Sequence, residues 1–429
     1  MRLCIISMIT MNGKVIAGAV ILVLSFSITL LPFAGNIKEF YAPITYEKKQ
    51  FLQEENTYGI QWEKDYGKIS WWSARYEGPQ PVGDADNDGK NELLIGGRDP
   101  FLRIMKWDEE RQTYYEQAKI VDPVFGIGYG IFGIPEPFGS ATGFAIGDID
   151  NDGKNEIGVA WGHHFSAFKW NGEKYENIGR YIITKKKGWA TTLDCIVGDC
   201  DNDGKNEVVV TGGYNDPAIP EVLVLSWDGS KFMEKSEWNA PGRYSIYFPW
   251  IADVDGDGKN EIICNTNETV VLKWDGNEWN ANTVATYGER EIYPFGCVSK
   301  DSDGDGKAEI HVTFYAPELK IFEWNGSGYE EKWSHYWEGE EGTIEAIDVG
   351  DVDDDGIPEV CVGTDKVHIL QWDGSEYKEE YVINETYGML AVTCVGDFDN
   401  DGKNEINAGA VGVDYGESYK SWIFKYGWR

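Results

Sequence analysis

GDFDNDGKNEI, Gly396 to Ile406, decides how this chain folds, because the stretch occurs seven times. The other copies are GDADNDGKNEL from Gly83, GDIDNDGKNEI from Gly147, GDCDNDGKNEV from Gly198, ADVDGDGKNEI from Ala252, KDSDGDGKAEI from Lys300 and GDVDDDGIPEV from Gly350. Their common skeleton is D-x-D-x-D-G-x-x-E. In chain order the carboxylates are Asp84, Asp86, Asp88 and Glu92; Asp148, Asp150, Asp152 and Glu156; Asp199, Asp201, Asp203 and Glu207; Asp253, Asp255, Asp257 and Glu261; Asp301, Asp303, Asp305 and Glu309; Asp351, Asp353, Asp355 and Glu359; and Asp397, Asp399, Asp401 and Glu405. Three Asp at alternate positions turn their carboxylates inward. The Gly permits a sharp bend, the seventh position offers a backbone carbonyl, and the Glu closes the cage. An all-oxygen set suits a hard cation, so Ca²⁺ is expected at up to seven sites. Gathering four carboxylates without a cation is costly, so the expected role of the metal is a clip on each hairpin rather than a switch. The sixth copy, with Ile357-Pro358 where most copies have Lys-Asn, is expected to be the weakest.

Working outward, the first Asp residues fall at 84, 148, 199, 253, 301, 351 and 397, a repeat of 46 to 64 residues. Around each acidic loop the plan is the same. An apolar strand enters it, as in DCIVGD before Asp201, and a β-branched strand leaves it, as in EVVVTGG. A third strand ends at Trp107-Asp108, Trp170-Asn171-Gly172, Trp227-Asp228-Gly229, Trp274-Asp275-Gly276, Trp324-Asn325-Gly326 or Trp372-Asp373-Gly374, and a fourth begins with an aromatic residue. Asp-Gly and Asn-Gly between strand-like runs are hairpin signals. Four antiparallel strands per repeat of this length make one propeller blade, and seven blades close a ring. The expected fold is therefore all-β, a seven-bladed propeller over residues 58–429. The last unit stops at IFKYGWR, short of its outer strand. The segment near Tyr58–Trp62, part of an expected strand pair over Tyr58–Trp72, is predicted to complete the seventh blade. Strand parity puts the acidic loops and the Trp turns at one end of every blade, and the variable loops at the other.

The chain has 429 residues and a formal net charge of −35. That charge argues against nucleic acid as a partner. The 18 Trp are expected mainly to pack between sheets. Residues 15–35 carry no charge and follow Lys14, which fits either a signal peptide or a transmembrane anchor over residues 1–35, with 36–57 as a stalk. An extracytoplasmic location follows, with the amino-terminal segment in the membrane or cleaved. Three sequons, at Asn267, Asn325 and Asn384, add little. Cys264 and Cys297, and Cys361 and Cys394, are each 33 residues apart, and disulfides and buried thiols are equally open readings.

At this point the chain resembles the FG-GAP/VCBS repeat family, which includes the propeller of integrin α-subunits. The resemblance rests on the Asp and Glu positions above and on Phe138-Gly139 in PFGSATGFAIGD. It implies a seven-bladed propeller with structural Ca²⁺ in the hairpin loops, and roles in adhesion and ligand binding. The closing residue is Glu here where integrin loops usually have Asp.

On the variable face three features are candidates for contact with a ligand: the insertion Asp122–Gly139, the basic run Lys185-Lys186-Lys187-Gly188-Trp189, and His163-His164. The leading expectation is a non-catalytic Ca²⁺-binding module for a cell-surface protein or glycan. A rival is a Ca²⁺-dependent polysaccharide lyase or hydrolase, for which Arg98, His163, Lys185 and Arg243 are scattered candidates. A third is a structural surface-assembly component. No nucleophile motif or cofactor fingerprint appears, and no catalytic residue is assigned.

Overall fold

The computed structural model describes residues 57–67, 76–96, 102–120, 142–161, 164–183, 192–212, 220–242, 244–288, 293–411 and 419–428. Among them there is no helix, and none long and apolar enough to cross a membrane. The expected leader and, but for Thr57, the expected stalk lie outside the described residues, as do the insertion 122–139, the basic run 185–189, Phe138-Gly139, Arg98, His163 and Arg243.

Seven blades of four antiparallel strands follow one another in a ring, and the sheet of blade two carries a fifth strand. Blade one spans Val82–Ile120, blade two Thr142–Ile182, blade three Thr192–Trp238, blade four Trp250–Thr286, blade five Pro294–Tyr336 and blade six Ile347–Ile383. Blade seven takes three strands from the carboxyl end, Met389–Gly396, Glu405–Val411 and Tyr419–Tyr426, and its outer strand from the amino end, Tyr58–Gly67. Tyr58 pairs with Tyr426 and Gly67 with Tyr419. The closure read from the truncated last repeat is thus present. Tyr58–Gly67 is one continuous strand with no turn inside it, and the remainder of the expected strand pair, residues 68–72, lies outside the described residues. The next described segment, Tyr76–Gln80, pairs parallel with Thr142–Gly147 of blade two, and blade one is left with a first strand of two residues, Val82–Gly83. Continuous buried runs such as EVVVTG, Glu207–Gly212, show why the middle strands are Val- and Ile-rich: both faces pack against neighbouring blades.

The Trp turns build a second repeated feature. Each pairs the Trp with the aromatic residue that starts the fourth strand, with ring centroids 4.9 Å apart for Trp227–Phe232, Trp170–Tyr175, Trp324–Tyr329 and Trp372–Tyr377, and 4.7 Å for Trp107–Tyr114. The hairpin is looser than an Asp-Gly pair alone implies, since Trp227 faces Phe232 across four loop residues. Asp228 holds that loop, its Oδ1 accepting from the amides of Ser230 and Lys231. All six described cysteines are buried free thiols, which removes the disulfide reading.

Candidate metal centre

Each acidic loop is shaped by its own carboxylates before any ion is considered. Asp84 Oδ1 accepts from the amide of Asp88 at 2.9 Å, and Oδ2 from that of Gly89 at 2.9 Å. Glu92 Oε2 accepts from the amides of Ala85 and Asp86. The pattern recurs in the last loop, where Asp397 accepts from Asp401 and Gly402, and Glu405 from Phe398 and Asp399. The loop bends twice in the left-handed region. The sixth position is always Gly, with φ between 84° and 89°. The fourth position is Asn, Gly or Asp, with φ from 58° at Asn151 to 78° at Gly304. These are the residue types that tolerate that conformation.

The structure brings the predicted ligands together. Oxygens of Asp84, Asp86 and Glu92 lie within 4.8 Å of one another, as do those of Asp148, Asp150 and Glu156; Asp199, Asp201 and Glu207; Asp253, Asp255 and Glu261; and Asp301, Asp303 and Glu309. The third Asp of each loop, Asp88 for example, stands at the exposed rim. The closing Glu residues are the buried members, and burial pushes the carboxyls of Glu92, Glu261 and Glu405 up to about 7 and that of Glu359 up to about 8. The all-oxygen set fits a hard cation.

Two further parts of the site escaped the sequence reading. One is a lysine in most cages. Lys106 Nζ lies 2.7 Å from Asp86, 2.7 Å from Asp88 and 2.7 Å from Glu92. The other is an asparagine latch between blades. Asn155, the eighth residue of its motif, donates from its side chain to Asp84 O at 3.0 Å and from its backbone to Asn87 Oδ1 at 2.8 Å, both in the preceding loop. Asn206 and Asn260 bind blades two and three in the same way, and Asn91 reaches Asp397 O and Asn400 across the closure. Where the fourth position is Gly256 or Gly304, the next loop has Ala308 or Pro358 at the eighth, and the latch is missing. That pairing of Asn with Asn, and of Gly with Ala or Pro, is the signal in the sequence that reveals it. Asn260→Ala keeps the backbone N–H that donates to Asn202 and removes only the side-chain bond to Asp199 O, so it is expected to lose about 1 kcal/mol, seen as a lower urea midpoint. Ala308→Ser, in a blade without the latch, is expected to stay within about 0.5 kcal/mol of the parent.

His164 is buried in blade two. Asp194, on the first strand of blade three, is a buried carboxyl outside the loops; its Oδ1 accepts from the amide of Cys195, and burial holds it well above the usual carboxylate range. It presses on Gly143 so closely that a Cβ there would meet its Oδ1 at 1.7 Å.

Residues 148–210, 199–264 and 301–362 match the family model described as an FG-GAP-like repeat. Among solved structures, the chain is similar in fold to BBS1N in its crystal structure with ARL6DN soaked with mercury, with a TM-score of 0.55, 12% identity, and coverage of 86% of this chain and 96% of that one. The crystal soaked with lead aligns equally well, at 11% identity. No curated protein matches the chain. Three FG-GAP-like repeats on a ring of seven blades support an FG-GAP-repeat, integrin-like β-propeller.

Proposed function

We propose that this propeller is a non-catalytic, extracytoplasmic module that binds Ca²⁺ within its ring of acidic loops, at one loop or more, and a cell-surface glycan or protein on the opposite face. The observation that carries the second half is an aromatic patch at the ends of blades four and five remote from the loops. Tyr293 is 61% exposed and Tyr315 54%. They flank a hairpin whose other end is the acidic loop of Asp301. Phe295 stands between Tyr315 and Tyr247, with ring centroids 4.6 Å from Tyr247 and 6.0 Å from Tyr315. Tyr293 has φ 56°, and Ile344, which packs on Phe295, has φ 38°. Non-glycine residues in this region are strained, and strain of this kind gathers at binding sites. Exposed tyrosines offer flat apolar faces with a polar tip, suited to sugar rings and to protein hot spots.

The patch was not among the three sequence candidates, because Tyr293 and Tyr315 are 22 residues apart in the chain. The Tyr293→Ala/Tyr315→Ala variant is expected to lose at least tenfold in binding on a glycan array or in capture from a cell-surface extract, with an unchanged melting temperature. Binding equal to the parent in both assays would sink this reading. For the metal half, EDTA is expected to lower the melting temperature and added Ca²⁺ to restore it; a melt indifferent to both would reject it.

A further inference from the structure

Six of the seven cages already contain a positive charge. Besides Lys106, Lys169 Nζ lies 2.9 Å from Asp150, 2.7 Å from Asp152 and 2.7 Å from Glu156. Lys235 lies 2.6, 2.7 and 2.9 Å from Asp201, Asp203 and Glu207. Lys425 lies 2.5, 2.7 and 2.6 Å from Asp399, Asp401 and Glu405. Lys273 pairs with Asp255, Asp257 and Glu261, and Lys332 with Asp303 and Glu309. In each case the ammonium meets the second Asp and the closing Glu, two of the carboxylates that a metal ion would need.

The lysine does not always come from the same strand. In blades one, two, four and seven it is the residue just before the aromatic that ends the third strand: Lys106, Lys169, Lys273 and Lys425. In blades three and five that place holds Ser226 and Glu323, and the lysine comes from the fourth strand instead, as Lys235 and Lys332. One lysine is supplied per blade, from one of two neighbouring strands. A chance surface lysine would not be exchanged between strands while its target stays the same.

Blade six breaks the pattern at both places. Its third-strand residue is Gln371, whose Nε2 donates to Asp355 at 2.9 Å and Glu359 at 2.7 Å. Its fourth-strand residue, in the position of Lys235 and Lys332, is Glu380. Lys403, from the acidic loop of blade seven, reaches Asp354 at the exposed rim and not the cage. Asp351, Asp353, Asp355 and Glu359 are therefore left without an internal counter-ion among the described residues.

We propose that the seven loops are of two kinds: six are closed by the chain's own lysine ammonium, and the loop of blade six alone takes its cation, a divalent metal ion, from solution. The proposal rests on the reading of these loops as cation cages. It replaces the expectation of up to seven Ca²⁺ with one, and makes the copy expected to be weakest the one that binds. An ammonium and a divalent ion cannot share one cage without strong repulsion.

The test is titration calorimetry of CaCl₂ into the full chain after EDTA treatment and desalting, with a melting curve at each endpoint. The parent is expected to bind one Ca²⁺. Gln371→Lys is expected to bind none, with a melt no longer raised by Ca²⁺. Lys106→Gln is expected to bind two, and its lowered melting temperature to be recovered by Ca²⁺; Lys169→Gln serves if that variant does not fold. A parent that binds several ions, or a Gln371→Lys variant that binds as many as the parent, overturns the proposal while leaving the cage reading intact. No binding by the parent or by either lysine variant overturns both.

Discussion

A chain that begins after Gly67 is expected to lose its cooperative unfolding transition and to leave the monomer peak on size exclusion. Tyr58–Gly67 is the outer strand of blade seven, but it does more than pair with Tyr419–Tyr426. Tyr58 is buried, with its ring 5.3 Å from Tyr381 of blade six and 5.2 Å from Tyr426. Gln61 donates to Asp399 at 2.6 Å, inside the seventh cage, and accepts from the hydroxyl of Tyr114 in blade one at 3.2 Å. Trp62 packs edge-on against Tyr114 at 5.7 Å. One strand therefore ties blades six, seven and one. Its removal bares the edge of Tyr419–Tyr426, a template for association with other chains. The combined loss is comparable with the ~5–15 kcal/mol that holds a whole domain together. A truncated chain that stays monomeric and melts where the parent does would refute the closure argument.

Glu405→Ala is expected to cost about 3–5 kcal/mol, the range for breaking a buried ion pair on one side. Its Oε2 accepts the amides of Phe398 and Asp399, and its Oε1 lies 2.6 Å from Lys425 Nζ. Alanine strands two buried amides and part of the charge of a lysine that is itself largely buried. Lys425→Met is expected to be costly for the converse reason, and the double variant to cost less than the two together. Additive losses in urea titrations would show that the two groups act independently. The same carboxyls set a pH dependence in the metal-free protein. Burial raises Glu92, Glu261 and Glu405 to about 7 and Glu359 to about 8, above the ~4.3 of an unfolded chain. A raised folded-state value contributes stability that is complete below the unfolded value and lost as pH rises through the folded one. Metal-free protein is thus expected to melt higher at pH 5 than at pH 8.5, with the slope reduced in Glu405→Ala. A melting temperature that rises over that interval would contradict it.

The blades were legible because their code is short-range. Asp-x-Asp-x-Asp-Gly-x-x-Glu and Trp-Asp-Gly each sit within a dozen residues, and their phase along the chain gives strand count, parity and the missing strand supplied by Tyr58–Gly67. The lysine and asparagine parts of the site were present in the same letters yet were not read. Lys106 and Lys235 reach equivalent cages from different strands, so no fixed offset from the loop marks them. Asn155 acts on the loop one blade earlier, 68 residues away at Asn87. Tyr76–Gln80 leaving blade one for the edge of blade two is likewise a choice between two neighbouring edges that no local pattern encodes.

By itself, then, the sequence determined the ring, its closure and the carboxylate cages, since backbone conformation and strand phase follow from neighbouring residues. Only the tertiary structure decided what stands inside each cage. A charged side chain finds its partner through space, across a sheet or between blades, and that distance is created by the fold. The seven copies of one motif look alike in the chain; Gln371 in place of a lysine is what sets the sixth apart.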